Sequence, residues 1–171
     1  LIVHQSIEAE LLDRIVVQMQ SIKVGDPLDK ETTFGPLVSA KQLQRVTDYV
    51  TSGIESGAEL LYGGQRLLPE SGGYYFSPTV FKNVSPESAI AQEEIFGPVL
   101  SSFTFNTEAE AIHLANSTPY RLAAYVWTQD MGTGMRLAKQ LRCSVLVNAS
   151  NQYTEGAGHA VYAEASGYSG L

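Results

Sequence analysis

The chain has 171 residues, 44% of them hydrophobic and 17% charged, which suits a single domain with a real core. Its net charge is −7 and its pI about 4.9, and its 11 Lys and Arg form no basic stripe, so a nucleic-acid partner is not expected. No apolar run approaches the ~18 residues of a membrane span, no basic-then-apolar leader opens the chain, and the lone Cys143 excludes an internal disulfide.

These features fit a reducing, cytoplasmic setting. The chain opens on Leu1 rather than Met, inside what reads as a strand, and is expected to be a piece of something longer. Leu1-Ile2-Val3-His4 reads as that strand. Ser6 then opens a helix with Ile7, Leu11, Ile15, Met19 and Ile22 at helical spacing, ended by Gly25 and Pro27. "GDPLDKETTFGP", residues 25–36, is a polar loop. Ser39 reads as the N-cap of a second helix with Leu43, Val46, Val50 and Ile54 on its apolar face, stopped by Gly57.

"AELLYGG" gives a short strand and a Gly-Gly turn, "LPESGGYY" a loop, and "TVFKNV" a strand of alternating character. Val99 to Phe105 reads as one further strand. Thr107 and Glu110 form a capping box ahead of a short helix with Ile112 and Leu114. "LAAYVWT" reads as a buried strand, Asp130 as the cap of a helix with Met135, Leu137, Ala138 and Leu141, and "CSVLVN" as the last strand. After Asn148 the chain is rich in Gly, Ala and Ser. Alternating strands and helices predict an α/β fold with an open, largely parallel sheet flanked by helices. In such sheets functional groups gather beyond the carboxyl ends of strands, which directs attention to the rim at Asn148.

"AQEEIFGPVL", residues 91–100, sets two carboxylates against an aromatic and a rigid Gly-Pro exit. In an extended chain Glu94 and Phe96 share a face. A carboxylate accepts hydrogen bonds from a diol, and an aromatic ring flanks a flat heterocycle. A solvated loop acid is the plainer alternative for Glu94. Cys143 precedes a hydrophobic strand and reads as a small core residue, with Arg142 its only positive neighbour in sequence. His4, His113 and His159 show no metal-ligand spacing, so no metal is expected. Gly132-Thr-Gly134 and Gly156-Ala-Gly158 lack the context of a phosphate loop and read as turns.

Taken in order, these pieces resemble the aldehyde dehydrogenase superfamily. "EEIFGPVL" resembles its glutamate-phenylalanine signature. "VGDPLDKETTFGPLVS", "GGYYFSPTVF", "ANSTPYRLAAYVWT", "SVLVN" and "ASGYSGL" are similar to further family segments over nearly the whole chain. The resemblance implies a catalytic-domain fragment over residues 1–171, partnered by an N-terminal cofactor-binding domain and an aldehyde, with NAD or NADP as cofactor and a homo-oligomeric parent. It implies that Glu94 binds the nicotinamide ribose hydroxyls and that Phe96 flanks the nicotinamide. In the family a cysteine thiolate attacks the carbonyl, hydride leaves for the nicotinamide, and a glutamate-activated water hydrolyses the thioester. That nucleophile and base are expected upstream of Leu1, and Cys143 matches a position that is usually glycine.

Departures are also present. Arg121 replaces a usual glycine, His159-Ala160-Val161-Tyr162 stand where the family has Pro-Phe-Gly-Gly, and Glu164 stands where it often has lysine. The tail is therefore expected to lie at an altered substrate entrance, and in the isolated chain to order only through an intermolecular contact. A non-catalytic domain kept for assembly, or a stand-alone small-molecule binding module, are the alternatives the residues leave open.

Overall fold

A computed structural model describes residues 1–148. The described residues divide into two compact units, one over Ile2–Asn106 and the other comprising Leu1 and residues 107–148. The fold is α/β. Three strand pairs are parallel and two antiparallel among the described residues, arranged as separate ladders rather than one continuous sheet.

In the first unit, β1 (Ile2–His4) pairs in parallel with β7 (Phe103–Phe105) and buries Val3. The His4 ring meets Phe105 edge-on at 5.3 Å, and its Nδ1 accepts from the Ser6 backbone N–H. That contact shapes a single 3-10 turn over Gln5–Ile7, so the α-helix begins later than Ser6: α1 spans Glu8–Gln20. Leu12 is its buried residue, while Ile7 is exposed and Ile22 lies beyond its end. Leu11, Ile15 and Met19 of the expected apolar stripe are half-buried beside Leu12. The 25–36 loop closes on itself through Gly25 N–H to Phe34 O and the Thr33 and Phe34 amides to Lys23 O.

α2 (Ala40–Glu55) starts where Ser39 accepts from the Gln42 backbone N–H at 3.2 Å, and it buries Leu43, Val46 and Val50. Its last core position is Gly53 rather than Ile54, which is exposed. A Cβ at Gly53 would stand 2.9 Å from Ile90 Cδ1 and 3.2 Å from Phe81 Cζ, so only glycine lets the helix approach so closely. Gly57, at φ +87°, turns the chain away after the helix.

β2 (Glu59–Tyr62) runs antiparallel to β5 (Thr79–Lys82), whose other neighbour β6 (Val99–Ser101) is parallel; β3 (Arg66–Leu67) and β4 (Tyr75–Phe76) form a separate antiparallel pair. Thr79, Val80 and Phe81 are all fully buried. The expected alternation in "TVFKNV" gives way because a central strand is covered on both faces. The expected single strand over Val99–Phe105 is two strands. At Ser102 the backbone N–H goes to Phe81 O and the carbonyl to Val84 N–H, and the chain then leaves β5 for β1. The core gathers Leu43, Val46, Val50, Phe81, Ile90 and Ile95.

In the second unit, α4 (Glu108–Ala115) carries the complete Thr107–Glu110 capping box. β8 (Ala123–Trp127) and β9 (Ser144–Asn148) pair in parallel along their whole length. Tyr125 and Trp127 are exposed, so β8 is not the buried strand its apolar run predicts. α5 (Met131–Gln140) is capped by Asp130, which accepts from the Gly132 and Thr133 amides. Gly132 and Gly134, expected in a turn, are both inside this helix, and Gly134 makes room for Val147. Arg136 grips Glu108 through contacts of 2.8–3.2 Å, tying α5 to α4. No helix among the described residues is long and apolar enough to cross a membrane.

Candidate functional site

The segment 93–98 emerges from α3 (Ala89–Gln92), and its course follows from three anchors. Ile95 drops into the core at 8% exposure, which throws its neighbours outward. Gly97 passes against α2 where a side chain would run into Val46. Pro98 O accepts from the Thr79 N–H at 2.8 Å and fixes the exit onto β5.

Between these anchors Phe96 takes φ +53°, a left-handed backbone that costs a bulky L-residue energy. The extended run expected to place Glu94 and Phe96 on one face therefore stops at Phe96. The ring is 69% exposed, and Glu94 is half-buried. An aromatic ring held in a strained backbone and offered to solvent contributes little to the core, which marks the segment as a candidate site.

The polar side of α2 holds the segment. Gln42 Nε2 donates to the carbonyl oxygens of Ile95 and Phe96 at 2.8 and 2.9 Å. Arg45 donates to Glu94 O at 2.7 Å and to the Tyr49 hydroxyl at 3.1 Å, with its guanidinium 5.2 Å from the Tyr49 ring centre. Tyr49 in turn donates to Glu93 Oε2 at 2.5 Å. Burial pushes the Tyr49 hydroxyl up, the Glu93 bond adds to this, and the Arg45 charge opposes it. The hydroxyl thus stays protonated as donor.

None of these three side chains stood out in the sequence. The available signal was a row of polar residues at 42, 45 and 49, at the three- and four-residue spacing of one helix face, flanking the buried stripe of Leu43, Val46 and Val50. Of the paired carboxylates, Glu93 is an anchor. Glu94 is the one with Phe96 two residues on.

The other singled-out residues lie elsewhere. Cys143 is half-buried just before β9, and burial pushes its thiol up while the charge of Arg121, not of neighbouring Arg142, pulls it down. A raised pKa is the opposite of what a thiolate nucleophile needs. Arg121 itself folds back to donate to the carbonyls of Thr118 and Tyr120. His113 sits in the last turn of α4, and Asn148 closes β9, where its carbonyl accepts from Thr128 N–H. His159, Ala160, Val161, Tyr162, Glu164 and Gly156-Ala-Gly158 lie outside the described residues, as does the expectation about the tail.

The sequence model of the aldehyde dehydrogenase family matches residues 1–167. The chain belongs to that family. It is 42% identical over 157 residues to an aldehyde dehydrogenase of Vibrio cholerae serotype O1, covering 90% of this chain and 31% of that protein. Among solved structures, the NAD-dependent aldehyde dehydrogenase of Sinorhizobium meliloti superposes with a TM-score of 0.83 at 41% identity, over 88% of this chain and 30% of that one. The NAD+ complex of an aldehyde dehydrogenase from Bacillus cereus gives a TM-score of 0.82 at 40% identity, again over 88% and 30%. This aldehyde dehydrogenase segment thus spans about a third of the length of the relatives it matches. At its candidate site Glu94 presents a carboxylate, an acceptor group, and Phe96 a solvent-facing ring two residues on.

Proposed function

We propose that residues 1–171 are part of the catalytic domain of an NAD(P)-dependent aldehyde dehydrogenase that converts an aldehyde to a carboxylate. The observation that carries this reading is the exposed Phe96 ring, kept at positive φ two residues after the Glu94 carboxylate. Glu94 would accept from the two ribose hydroxyls and so orient the nicotinamide end. Phe96 would flank the ring and keep water from that side. When bound, the nicotinamide supplies the hydride acceptor. The nucleophilic thiol and the general base come from parts of the protein outside this segment, in keeping with the raised Cys143 pKa. The segment alone is accordingly expected to oxidise no aldehyde.

Glu94→Gln in the complete protein tests the assignment. Loss of a charge-assisted hydrogen bond lowers kcat by roughly 10- to 100-fold. NAD+ affinity falls less, because most of its binding surface lies in the cofactor-binding domain. Wild-type kinetics in this variant would show that Glu94 has no such role. A homo-oligomeric, cytoplasmic enzyme is the setting that the family and the single cysteine suit, and light scattering with cell fractionation tests both.

A further inference from the structure

We infer that Gln42 and Arg45 are positioning residues that set the register of the Glu94 and Phe96 side chains from the rigid face of α2. This rests on the cofactor reading of Glu94 and Phe96 given above. Four consecutive residues, 93–96, are gripped by three side chains of one helix. The Gln42 amide has two hydrogens and two carbonyl acceptors, so its donor capacity is fully used, and one of those acceptors belongs to Phe96 itself. Arg45 takes the Glu94 carbonyl and is steadied from behind by Tyr49, which is tied to Glu93.

Water satisfies such carbonyls nearly as well, so the net stability gained from each contact is small. What water does not supply is a fixed place. The left-handed backbone at Phe96 relaxes towards ordinary extended or helical geometry unless its carbonyl is held, and relaxation swings the ring away. α2 is a suitable platform because Leu43, Val46 and Val50, each next in sequence to one of the three gripping side chains, anchor the helix in the core. Displacement of a cofactor-facing group by a fraction of an ångström costs turnover more than affinity.

The test uses the complete protein with Arg45→Met, which keeps the stem and loses the donors, and Gln42→Glu, which sets a carboxylate against two carbonyl oxygens. Arg45→Lys is the conservative control. Steady-state kinetics with NAD+ are measured together with amide hydrogen exchange in the cofactor-free protein. Arg45→Met and Gln42→Glu are expected to lower kcat by about tenfold, as for one lost hydrogen bond to a charged group. The KM for NAD+ should move less, exchange should quicken over residues 93–97 with α2 still protected, and Arg45→Lys should recover most of the turnover. Unchanged kcat overturns the inference, and so does a fall in kcat accompanied by loss of protection throughout α2, the mark of a merely structural strut. Glu94→Gln run alongside separates the two readings. If it alone is impaired, the positioning role fails and the cofactor reading stands; if it behaves as wild type, the cofactor reading fails.

Discussion

Gly97 packs against Val46 so closely that a Cβ on the glycine would stand 2.4 Å from Val46 Cγ2. Val46 is fully buried and cannot retreat. Gly97→Ala should therefore cost about 1–3 kcal/mol, the usual range for overpacking. The urea midpoint of the protein reads this directly. A midpoint equal to wild type would mean that the segment shifts freely, in which case it is no rigid site.

Phe96 makes the opposite prediction. Truncating a core phenylalanine costs about 3–5 kcal/mol, but this ring is mostly exposed, and the left-handed backbone costs it about 1–2 kcal/mol. Phe96→Asn places a residue tolerant of that backbone and is expected to leave the unfolding midpoint unchanged or higher, while NAD+ binding by the complete protein weakens. A large drop in the midpoint would assign the ring to packing.

Cys143 should behave as an unreactive thiol. Its folded pKa is raised above the ordinary 9.0 by burial, against the charge of Arg121. The pH midpoint of its alkylation by iodoacetamide should lie above 9.0, and Arg121→Gln should move it higher still. Cys143→Ala should leave aldehyde oxidation by the complete protein essentially intact. Loss of turnover in that variant would reinstate the thiol as part of the chemistry.

The α4–α5 tie should weaken in acid. The hydrogen bond from Arg136 is the largest of the influences that hold the Glu108 carboxyl below its ordinary 4.5. A depressed carboxylate pKa stabilises the fold above the unfolded value, and this is lost as pH falls through the folded one. Thermal unfolding of the wild type should therefore lose more between pH 5 and 3 than that of Glu108→Gln. Both partners are exposed or nearly so, and the difference should be modest and screened by salt. Parallel pH curves would show that the pair is not formed in solution.

The local features of the fold were legible because they are written in adjacent residues. Ser39, Thr107 and Asp130 each cap the helix they precede, and a cap needs only the next three residues. The break at Ser102 was not, because it depends on which distant strand each half finds. Gly53 was missed for the same reason: apolar periodicity favoured Ile54, and only the approach of Ile90 and Phe81 makes glycine the core residue. At the candidate site, the motif pointed to Glu94 and Phe96. The helix side chains that hold them were hidden because their acceptors are backbone carbonyls, which carry no residue identity, and lie 49–54 residues away.

The change of partner at Ser102 also bears on how sequences of this kind can vary in length. On one side of that residue the strand is registered against β5, on the other against β1, with no loop between to absorb an error. One residue added or removed there would turn every side chain of β7 to the opposite face, exposing what is now inward and burying what is now outward. The 25–36 loop has no such constraint, since it is closed by its own hydrogen bonds around Lys23 and Phe34. Gaps between related chains should accumulate in such loops and avoid the stretch from Val99 to Phe105, whose length acts as a ruler between the two ladders.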